Sequence, residues 1–275
     1  MSKNKLAILG GGNIGIAIAR GLVKAKVREP SQIIITRRRV DSLNFLEEEG
    51  FIISSDNGKA VNESKVVILA VRPLQIPKLI EEIKSSLNLA LHIVMSVASG
   101  VSIAEIQDLV GSKISVVRVM PNTATEVCES MTCLAVDNKD PRSKQSIQQA
   151  TEIFECVGKT ILIPEDQVTP ATALCACGTA FFLRAIRAAS QGGIQIGFHS
   201  DEALRMAAQT AKGAAELLLK TGSHPEDQID KVTTPRGCTI AGLNEMEHKG
   251  FSSALIQGFV KSANIAGNLY QDDDK

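Results

Sequence analysis

The stretch KLAILGGGNIGIAIARGL, residues 5–22, decides the fold of the N-terminal half of the chain. An apolar run leads into a glycine-rich turn, and apolar residues at helical spacing follow it. Gly10, Gly12 and Gly15 fit the G-x-G-x-x-G pattern of dinucleotide-binding units. Such a turn lets a pyrophosphate approach the backbone at the positive end of a helix. We therefore predict a dinucleotide site at the turn, extending to the first helical residues, Asn13 and Ile14.

The residues after the second predicted strand indicate which dinucleotide binds. NAD-binding units usually end this strand with an Asp or Glu that accepts hydrogen bonds from the ribose 2′-hydroxyl. Here residues 33–36 are followed by Arg37, Arg38 and Arg39, and the first carboxylate is Asp41. Guanidinium groups pair well with a 2′-phosphate. We predict NADPH as the cofactor, with NADH as the alternative, and favour Arg37 and Arg38 over Arg39 as phosphate ligands. A solvated basic turn is the competing interpretation.

Up to residue 163, short apolar segments alternate with amphipathic ones. The predicted strands are 5–9, 32–36, 51–53, 66–70, 91–96, 114–119, 131–136 and 160–163. The predicted helices are 13–25, 41–49, 75–86, 102–110 and 143–156. This alternation is typical of an α/β fold with a mostly parallel, doubly wound, Rossmann-like sheet. We assign residues 1–163 to this domain and expect its ligand outside the carboxyl ends of the strands.

After Pro164 the strand patterns end, and alanine-rich helical segments take over. The predicted helices are 166–196, 200–220, 238–248 and 251–270. Residues 164–275 are therefore expected to form an all-helical substrate-binding and dimerisation domain. These helices are apolar on most faces. A domain of about a hundred residues cannot bury that much apolar surface by itself. We expect a homodimer or a higher homo-oligomer built through this domain.

Composition excludes several classes of partner. The 275 residues carry equal numbers of acidic and basic side chains, so no global charge attracts the protein to nucleic acid or to a membrane surface. The N-terminus has no secretory apolar region, and no apolar run is expected to reach membrane-spanning length. We expect a cytoplasmic protein that acts on a small molecule. The acidic tail QDDDK, residues 271–275, is predicted to be disordered.

The six cysteines form no C-x-x-C motif, and no histidine lies at a metal-like spacing from a pair of them. They are most simply small apolar residues. A redox pair of Cys175 and Cys177 is the weaker alternative, because C-x-C is poor evidence for one. We predict neither a metal site nor a disulfide.

Four motifs after the glycine turn carry a resemblance to a known family. They are AVRP at 70–73, SVASGV at 96–101, RVMPNT at 118–123 and TPRGCT at 234–239. In this order and spacing the chain, from about Leu6 to Leu269, resembles the pyrroline-5-carboxylate reductases. These enzymes complete proline synthesis by reducing a cyclic imine with NAD(P)H.

The resemblance implies roles for particular residues. Ala70, Val71, Arg72 and Pro73 would lie along the diphosphate and nicotinamide side of the cofactor. Asn57 would contact the adenine ribose.

The resemblance also implies a substrate site around residues 233–239. Thr234, Gly237, Cys238 and Thr239 would bind the substrate carboxylate, with backbone N–H groups at a helix N-terminus favouring the anion. The Thr239 hydroxyl would touch the ring nitrogen, either as the proton donor or only to orient the ring. A simple helix-capping role for Thr234 is the competing interpretation.

The chain departs from the family pattern in two places. The usual S-G-S-G-P-A-Y is Cys175–Phe181 here, which changes either the wall beside the substrate pocket or the dimer contact. The usual Gly of the substrate turn is Arg236, which adds a positive charge near the expected carboxylate site. These departures are compatible with an alternative function, the reduction of a related cyclic imino acid.

A non-catalytic NADPH sensor is a second alternative function, disfavoured by the retained Thr234, Gly237 and Thr239. A β-hydroxyacid dehydrogenase is disfavoured because residues 178–193 contain no lysine to act as a base.

Overall fold

The computed structural model describes residues 5–111 and 114–268. The predicted disorder of the acidic tail concerns residues outside this range. Two compact units make up the chain: Met1–Ala176 together with Ala263–Lys275, and Cys177–Ser262. The division at residue 163 that the sequence predicts stays a prediction about functional domains.

One sheet forms the framework of the first unit. Its eight strands within the described residues are β1 (Lys5–Leu9), β2 (Ile33–Thr36), β3 (Ile52–Ser54), β4 (Ser64–Leu69), β5 (Ile93–Ser96), β6 (Ser115–Met120), β7 (Ser130–Val136) and β8 (Gly158–Leu162). Their order in the sheet is β3-β2-β1-β4-β5-β6-β7-β8. The order reverses between β1 and β4, which is the topological switch point where doubly wound sheets bind ligands.

All strand pairs are parallel except β6 and β7. Residues 121–129, which include a short 3₁₀ turn, Thr123–Val127, and a left-handed Cys128, connect these two strands. A connection this short cannot cross over to a parallel neighbour, so the chain reverses. Met120 at the end of β6 therefore lies opposite Cys133 of β7.

Helices cover both faces of the sheet. They are α1 (Asn13–Lys24), α2 (Asn44–Glu48), α3 (Asn57–Asn62), α4 (Ile76–Ile83), α5 (Ile103–Val110) and α6 (Ser143–Phe154). Strand residues alternate between two cores: Ile8 packs with Leu22 and Phe154 on one face, while Leu9 packs with Ile80 on the other. The doubly wound α/β fold is confirmed.

Helices alone make up the rest of the described chain. They are α7 (Val168–Ala171), α8 (Gly178–Gln195), α9 (Ser200–Thr221), α10 (Pro225–Val232), α11 (Cys238–His248) and α12 (Phe251–Asn268), with a π-helical turn, Thr172–Cys177, before α8. In the second unit α8 packs on α9, and the Phe181 and Phe259 rings meet edge to face at 5.0 Å.

The expectation that no apolar run reaches membrane-spanning length was wrong for the described residues. By length and composition alone, the helical run Glu165–Gln195 could cross a membrane. One such helix is weak evidence for a membrane span. Most of its apolar window is not buried. Its exposed side chains include Phe182 and Leu183.

Candidate active site

A cavity of about 940 Å³ opens at the carboxyl ends of β1 and β4, at the switch point of the sheet. Its lining comes from the glycine turn, the end of β2, the segment after β4, and α4. The lining residues are Leu9, Gly10, Gly11, Gly12, Thr36, Arg37, Arg38, Arg39, Ser42, Asn57, Ala70, Val71, Arg72, Leu74, Gln75, Lys78, Leu79 and Glu82. The structure thus brings together the glycine turn, the arginine run, Asn57 and most of the 70–73 motif.

The glycines of the turn differ in what surrounds them. Gly10 has φ +124°, and a Cβ there would lie 2.2 Å from the Ala70 carbonyl oxygen. A Cβ at Gly15 would lie 2.3 Å from the Gly10 carbonyl oxygen. A Cβ at Gly12 would meet nothing within 4 Å. Gly10 and Gly15 therefore allow tight packing of the turn, whereas Gly12 leaves room for a ligand such as a pyrophosphate.

The arginine run lies at the cavity with all three side chains exposed. Arg37 donates a hydrogen bond from Nη1 to the Gly11 carbonyl oxygen at 3.0 Å. No carboxylate follows β2 before Asp41. Open space at Gly12 beside three guanidinium groups fits a dinucleotide that carries a 2′-phosphate.

Asn57 is held at the start of α3 by two side chains. Thr36 donates from Oγ1 to the Asn57 Oδ1 at 2.5 Å, and the Asn57 amide nitrogen donates to Glu82 Oε1 at 3.0 Å. These bonds fix the orientation of the amide in the cavity wall. The sequence analysis missed Thr36, Lys78 and Glu82 as site residues, because no motif marks them. The only available signal was the predicted closeness of β2 and α4.

Four predicted cofactor residues lie outside the cavity lining. Gly15 is buried beneath the turn, and Asn13 and Ile14 form the first turn of α1, which begins at Asn13 as expected. Pro73 begins a 3₁₀ turn, Pro73–Gln75, in which the Gln75 side chain accepts a hydrogen bond from the Arg72 N–H at 3.2 Å. Their contacts with a cofactor stay predictions.

The predicted substrate turn lies in the second unit, directly before α11. The helix begins at Cys238, with Gly237 as its N-cap. The Gly237 N–H donates to the Thr234 carbonyl oxygen at 2.9 Å. That N–H is therefore used within the turn in this structure, and the predicted part of Gly237 in binding the substrate carboxylate stays a prediction. The N–H groups of Cys238 and Thr239 have no partner among the described residues.

The conformation of the same turn explains why the family pattern has glycine where this chain has Arg236. Arg236 has φ +62°, a left-handed conformation that glycine adopts more easily. Thr234 is not the N-cap of α11, so the simple capping interpretation of Thr234 is not supported. Its hydroxyl lies so close to Gly237 that a Cβ there would be 2.5 Å away.

An ion pair between a buried arginine and a partly exposed glutamate lies farther along the sheet. Arg118 of β6 is 7 % exposed, and its Nη1 lies 3.6 Å from Glu165 Oε1. Burial lowers the pKa of Arg118, and the neighbouring Glu165 carboxylate opposes this shift. The same Glu165 oxygen accepts the Ile103 N–H at 2.6 Å, at the start of α5. Within residues 5–111 and 114–268, no cluster of three or more His, Cys, Asp or Glu side chains could hold a metal ion.

Comparison with known families gives two matches, one in each half of the chain. A family model described as pyrroline-5-carboxylate reductase dimerisation matches residues 165–269. A second, described as NADP oxidoreductase coenzyme F420-dependent, matches residues 5–100. The chain therefore carries the dimerisation domain of this family after an NADP-type domain.

Individual proteins of known family are similar to this chain along almost its whole length. Pyrroline-5-carboxylate reductase 2 of Dictyostelium discoideum is 47 % identical over 96 % of this chain and 92 % of its own length. Pyrroline-5-carboxylate reductase 1 of the same organism is 50 % identical over 97 % of this chain, which spans only 50 % of that longer protein. The structure of a pyrroline-5-carboxylate reductase from Coxiella burnetii superposes with a TM-score of 0.89 at 30 % identity, over 98 % of this chain and 99 % of that one. The chain belongs to the pyrroline-5-carboxylate reductase family.

Proposed function

We propose that this protein reduces 1-pyrroline-5-carboxylate to L-proline with NADPH, the last step of proline biosynthesis. The observation that carries the proposal is the cavity at the switch point, where an open glycine turn meets three arginines and no carboxylate follows β2 before Asp41. The family membership of the chain supports the choice of substrate.

The cofactor residues are proposed from their place in this cavity. Arg38 and Arg37 would pair with the 2′-phosphate, and the backbone around Gly12 would face the pyrophosphate. Asn57, oriented by Thr36 and Glu82, would bind the adenine ribose. Ala70, Val71 and Arg72 would line the path toward the nicotinamide.

The substrate residues are proposed from the turn before α11. The N–H groups of Cys238 and Thr239 lie in the first turn of an eleven-residue helix, where the helix dipole favours an anion. The Thr234 and Thr239 hydroxyls would add hydrogen bonds to the substrate carboxylate. Arg236, held at positive φ by the turn, would add a positive charge beside it.

The chemistry demands little from side chains. NADPH, when bound, supplies a hydride to the carbon of the C=N bond, and the nitrogen carries a proton in the product amine. The residues of the protein would position the imine carbon and exclude water around it. Thr239 would hold the ring nitrogen through its hydroxyl and either pass a proton to it or only orient it.

A homodimer or larger homo-oligomer, in the cytoplasm, completes the proposal. Several large apolar side chains of the helical region are exposed in the single chain, among them Leu183 at 60 % and Leu219 at 81 %. Burying such side chains against a second copy would remove apolar area from water. Light scattering at micromolar concentration tests this: a dimer or larger species is expected, and a monomer would contradict it.

A substrate screen with both cofactors tests the function. Cyclic imines with and without a carboxylate are supplied with NADPH or NADH, and cofactor oxidation is followed by absorbance. We expect 1-pyrroline-5-carboxylate with NADPH to give the highest kcat/KM. A faster related imino acid would favour that substrate, and normal NADPH binding without any turnover would favour the sensor.

A further inference from the structure

Two thiols from distant parts of the sequence meet in the first unit. Cys133 lies in β7, and Cys175 lies in the π-helical turn Thr172–Cys177. Their sulfur atoms are 3.9 Å apart. The neighbour of Cys175 is therefore Cys133, whereas the redox pair that the sequence suggested as an alternative was Cys175 with Cys177.

The surroundings of the two sulfurs are unequal. Cys133 is 2 % exposed and packs in a small apolar cluster with Met120, Ala135 and Val168. Cys175 packs against the edge of this cluster and is only partly buried. A small oxidant in solution would therefore reach Cys175 before Cys133. Neither thiol has a part in the proposed reduction.

We propose that Cys133 and Cys175 form a redox modification site, which a hydroperoxide oxidises to a reversible disulfide. Disulfides in reducing compartments are usually transient and regulatory, which is the role proposed here.

The hydrogen bond between the thiols favours the thiolate of Cys175, which is the nucleophile of the first step. Donation from Cys133 lowers the pKa of Cys175 to about 7, so a large fraction of Cys175 is thiolate near neutral pH. The Cys175 thiolate attacks the peroxide: an S–O bond forms, the O–O bond breaks, and the expelled alkoxide or hydroxide takes up the proton that the thiol released to solvent and leaves as an alcohol or water. The Cys175 sulfur is oxidised to a sulfenic acid by two electrons, and the peroxide is reduced.

The second step closes the pair. The Cys133 sulfur attacks the Cys175 sulfenic sulfur, the S–S bond forms, the S–O bond breaks, and hydroxide leaves with the Cys133 proton as water. The net reaction converts two thiols and one hydroperoxide into a disulfide, an alcohol or water from the peroxide, and one further water. A dithiol reductant reverses it by thiol–disulfide exchange.

Formation of the disulfide would displace the backbone around Cys175. A disulfide needs about 2.05 Å between the sulfurs, so they must approach by nearly 2 Å. The π-helical turn is an irregular segment that can adjust, whereas β7 is paired on both sides. The Cys175 carbonyl oxygen accepts a hydrogen bond from the Asn122 side-chain nitrogen at 3.1 Å. Closure would therefore strain the loop after β6, at the carboxyl edge of the parallel strands.

The first test maps the bond and does not depend on the proposed function. The full-length protein is reduced, exposed to hydrogen peroxide, alkylated under denaturing conditions and digested. We expect one linked peptide pair, Cys133 with Cys175, which disappears after dithiothreitol. No linked pair, or a main product joining Cys175 to Cys177 or Cys128 to Cys156, would overturn the proposal.

Variants provide the matched controls. Cys133→Ala and Cys175→Ser should prevent the linked peptide, whereas Cys156→Ser, at another partly buried thiol, should leave it unchanged. Cooperative thermal unfolding of each variant confirms folding. If Cys133→Ala did not fold, Cys175→Ser alone would decide the result. Oxidation that links Cys133 to another cysteine in Cys175→Ser as readily as in the parent protein would overturn the proposal.

A second test measures the effect on turnover and rests on the proposed reductase function. We expect peroxide to slow NADPH oxidation at least about tenfold in the parent protein, because small displacements near a site are costly. Dithiothreitol should restore the rate, and Cys175→Ser should resist peroxide. A linked but equally active enzyme would contradict a regulatory effect. A linked protein with no reductase activity would support the thiol pair and contradict the proposed function.

Discussion

Arg37 and Gly11 are joined by a hydrogen bond from the guanidinium Nη1 to the glycine carbonyl oxygen, 3.0 Å long. It connects the arginine run after β2 with the glycine turn after β1, two features 26 residues apart in the sequence. The bond holds the Arg37 side chain beside the turn. Both parts of the predicted dinucleotide site therefore line one cavity.

The arginine run should determine preference for NADPH over NADH. Arg37→Ala with Arg38→Ala should raise the KM for NADPH at least about a hundredfold, because each lost charge-assisted bond costs at least about 1.5 kcal/mol. The KM for NADH should change little, since NADH has no 2′-phosphate. Steady-state kinetics with both cofactors measure this. Arg39→Ala is the matched comparison and should have the smaller effect; equal changes for NADPH and NADH would defeat the 2′-phosphate assignment.

Two glycines of the same turn should respond differently to alanine. Gly10→Ala should lower the free energy of unfolding by about 2–4 kcal/mol, because the new Cβ would collide with the Ala70 carbonyl oxygen at positive φ. Gly12→Ala should fold normally, because its Cβ meets open space. It should weaken NADPH binding by filling the space proposed for the pyrophosphate.

Urea unfolding and NADPH titration separate these two effects. The chain contains no Trp, so the emission of NADPH itself reports its binding. Tight NADPH binding by Gly12→Ala would show that the pyrophosphate does not approach this glycine.

The ion pair of Arg118 and Glu165 should contribute to stability. Glu165→Ala leaves a buried guanidinium without its carboxylate partner and removes the acceptor of the Ile103 N–H. We expect a loss of about 1–3 kcal/mol in the free energy of unfolding. Glu165→Gln, which retains an oxygen acceptor for Ile103, should lose less. Chemical denaturation measures both, and equal stability of all three proteins would refute the contribution.

Thr239 should affect turnover without affecting the cofactor. Thr239→Ala should lower kcat at least about tenfold, if its hydroxyl holds or protonates the ring nitrogen. Thr239→Ser, which keeps the hydroxyl, should recover most of the rate. The dissociation constant for NADPH should be the same in all three proteins. Unchanged turnover in Thr239→Ala would remove Thr239 from the proposed mechanism.

Regular elements of the fold were predictable because their patterns are local. All eight predicted strands are present with small shifts at their ends, and α1 begins at Asn13 as expected. The helix α3 was missed because it has only six residues, too few for a clear apolar period, and α10 was missed because its residues are mostly polar and none of them is buried. The cap of α3 is a local bond, from the Lys59 N–H to the Asp56 side chain.

The missed parts of the site depend on contacts between distant residues. Glu82 meets Asn57 across 25 residues, and Cys175 meets Cys133 across 42. Only the packing of helices and strands brings such pairs together. The use of the Gly237 N–H within its own turn was missed for another reason, since the turn pattern does not specify which backbone groups bond to each other.

The coupling of NADPH oxidation to proline formation tests the central proposal most directly. The purified protein is mixed with NADPH and 1-pyrroline-5-carboxylate, and cofactor absorbance and amino-acid product are measured together. We predict that each NADPH consumed gives one L-proline and that the rate depends on both reactants. Saturable NADPH binding with no imine-dependent loss of absorbance, or NADPH loss without proline, would contradict the assignment.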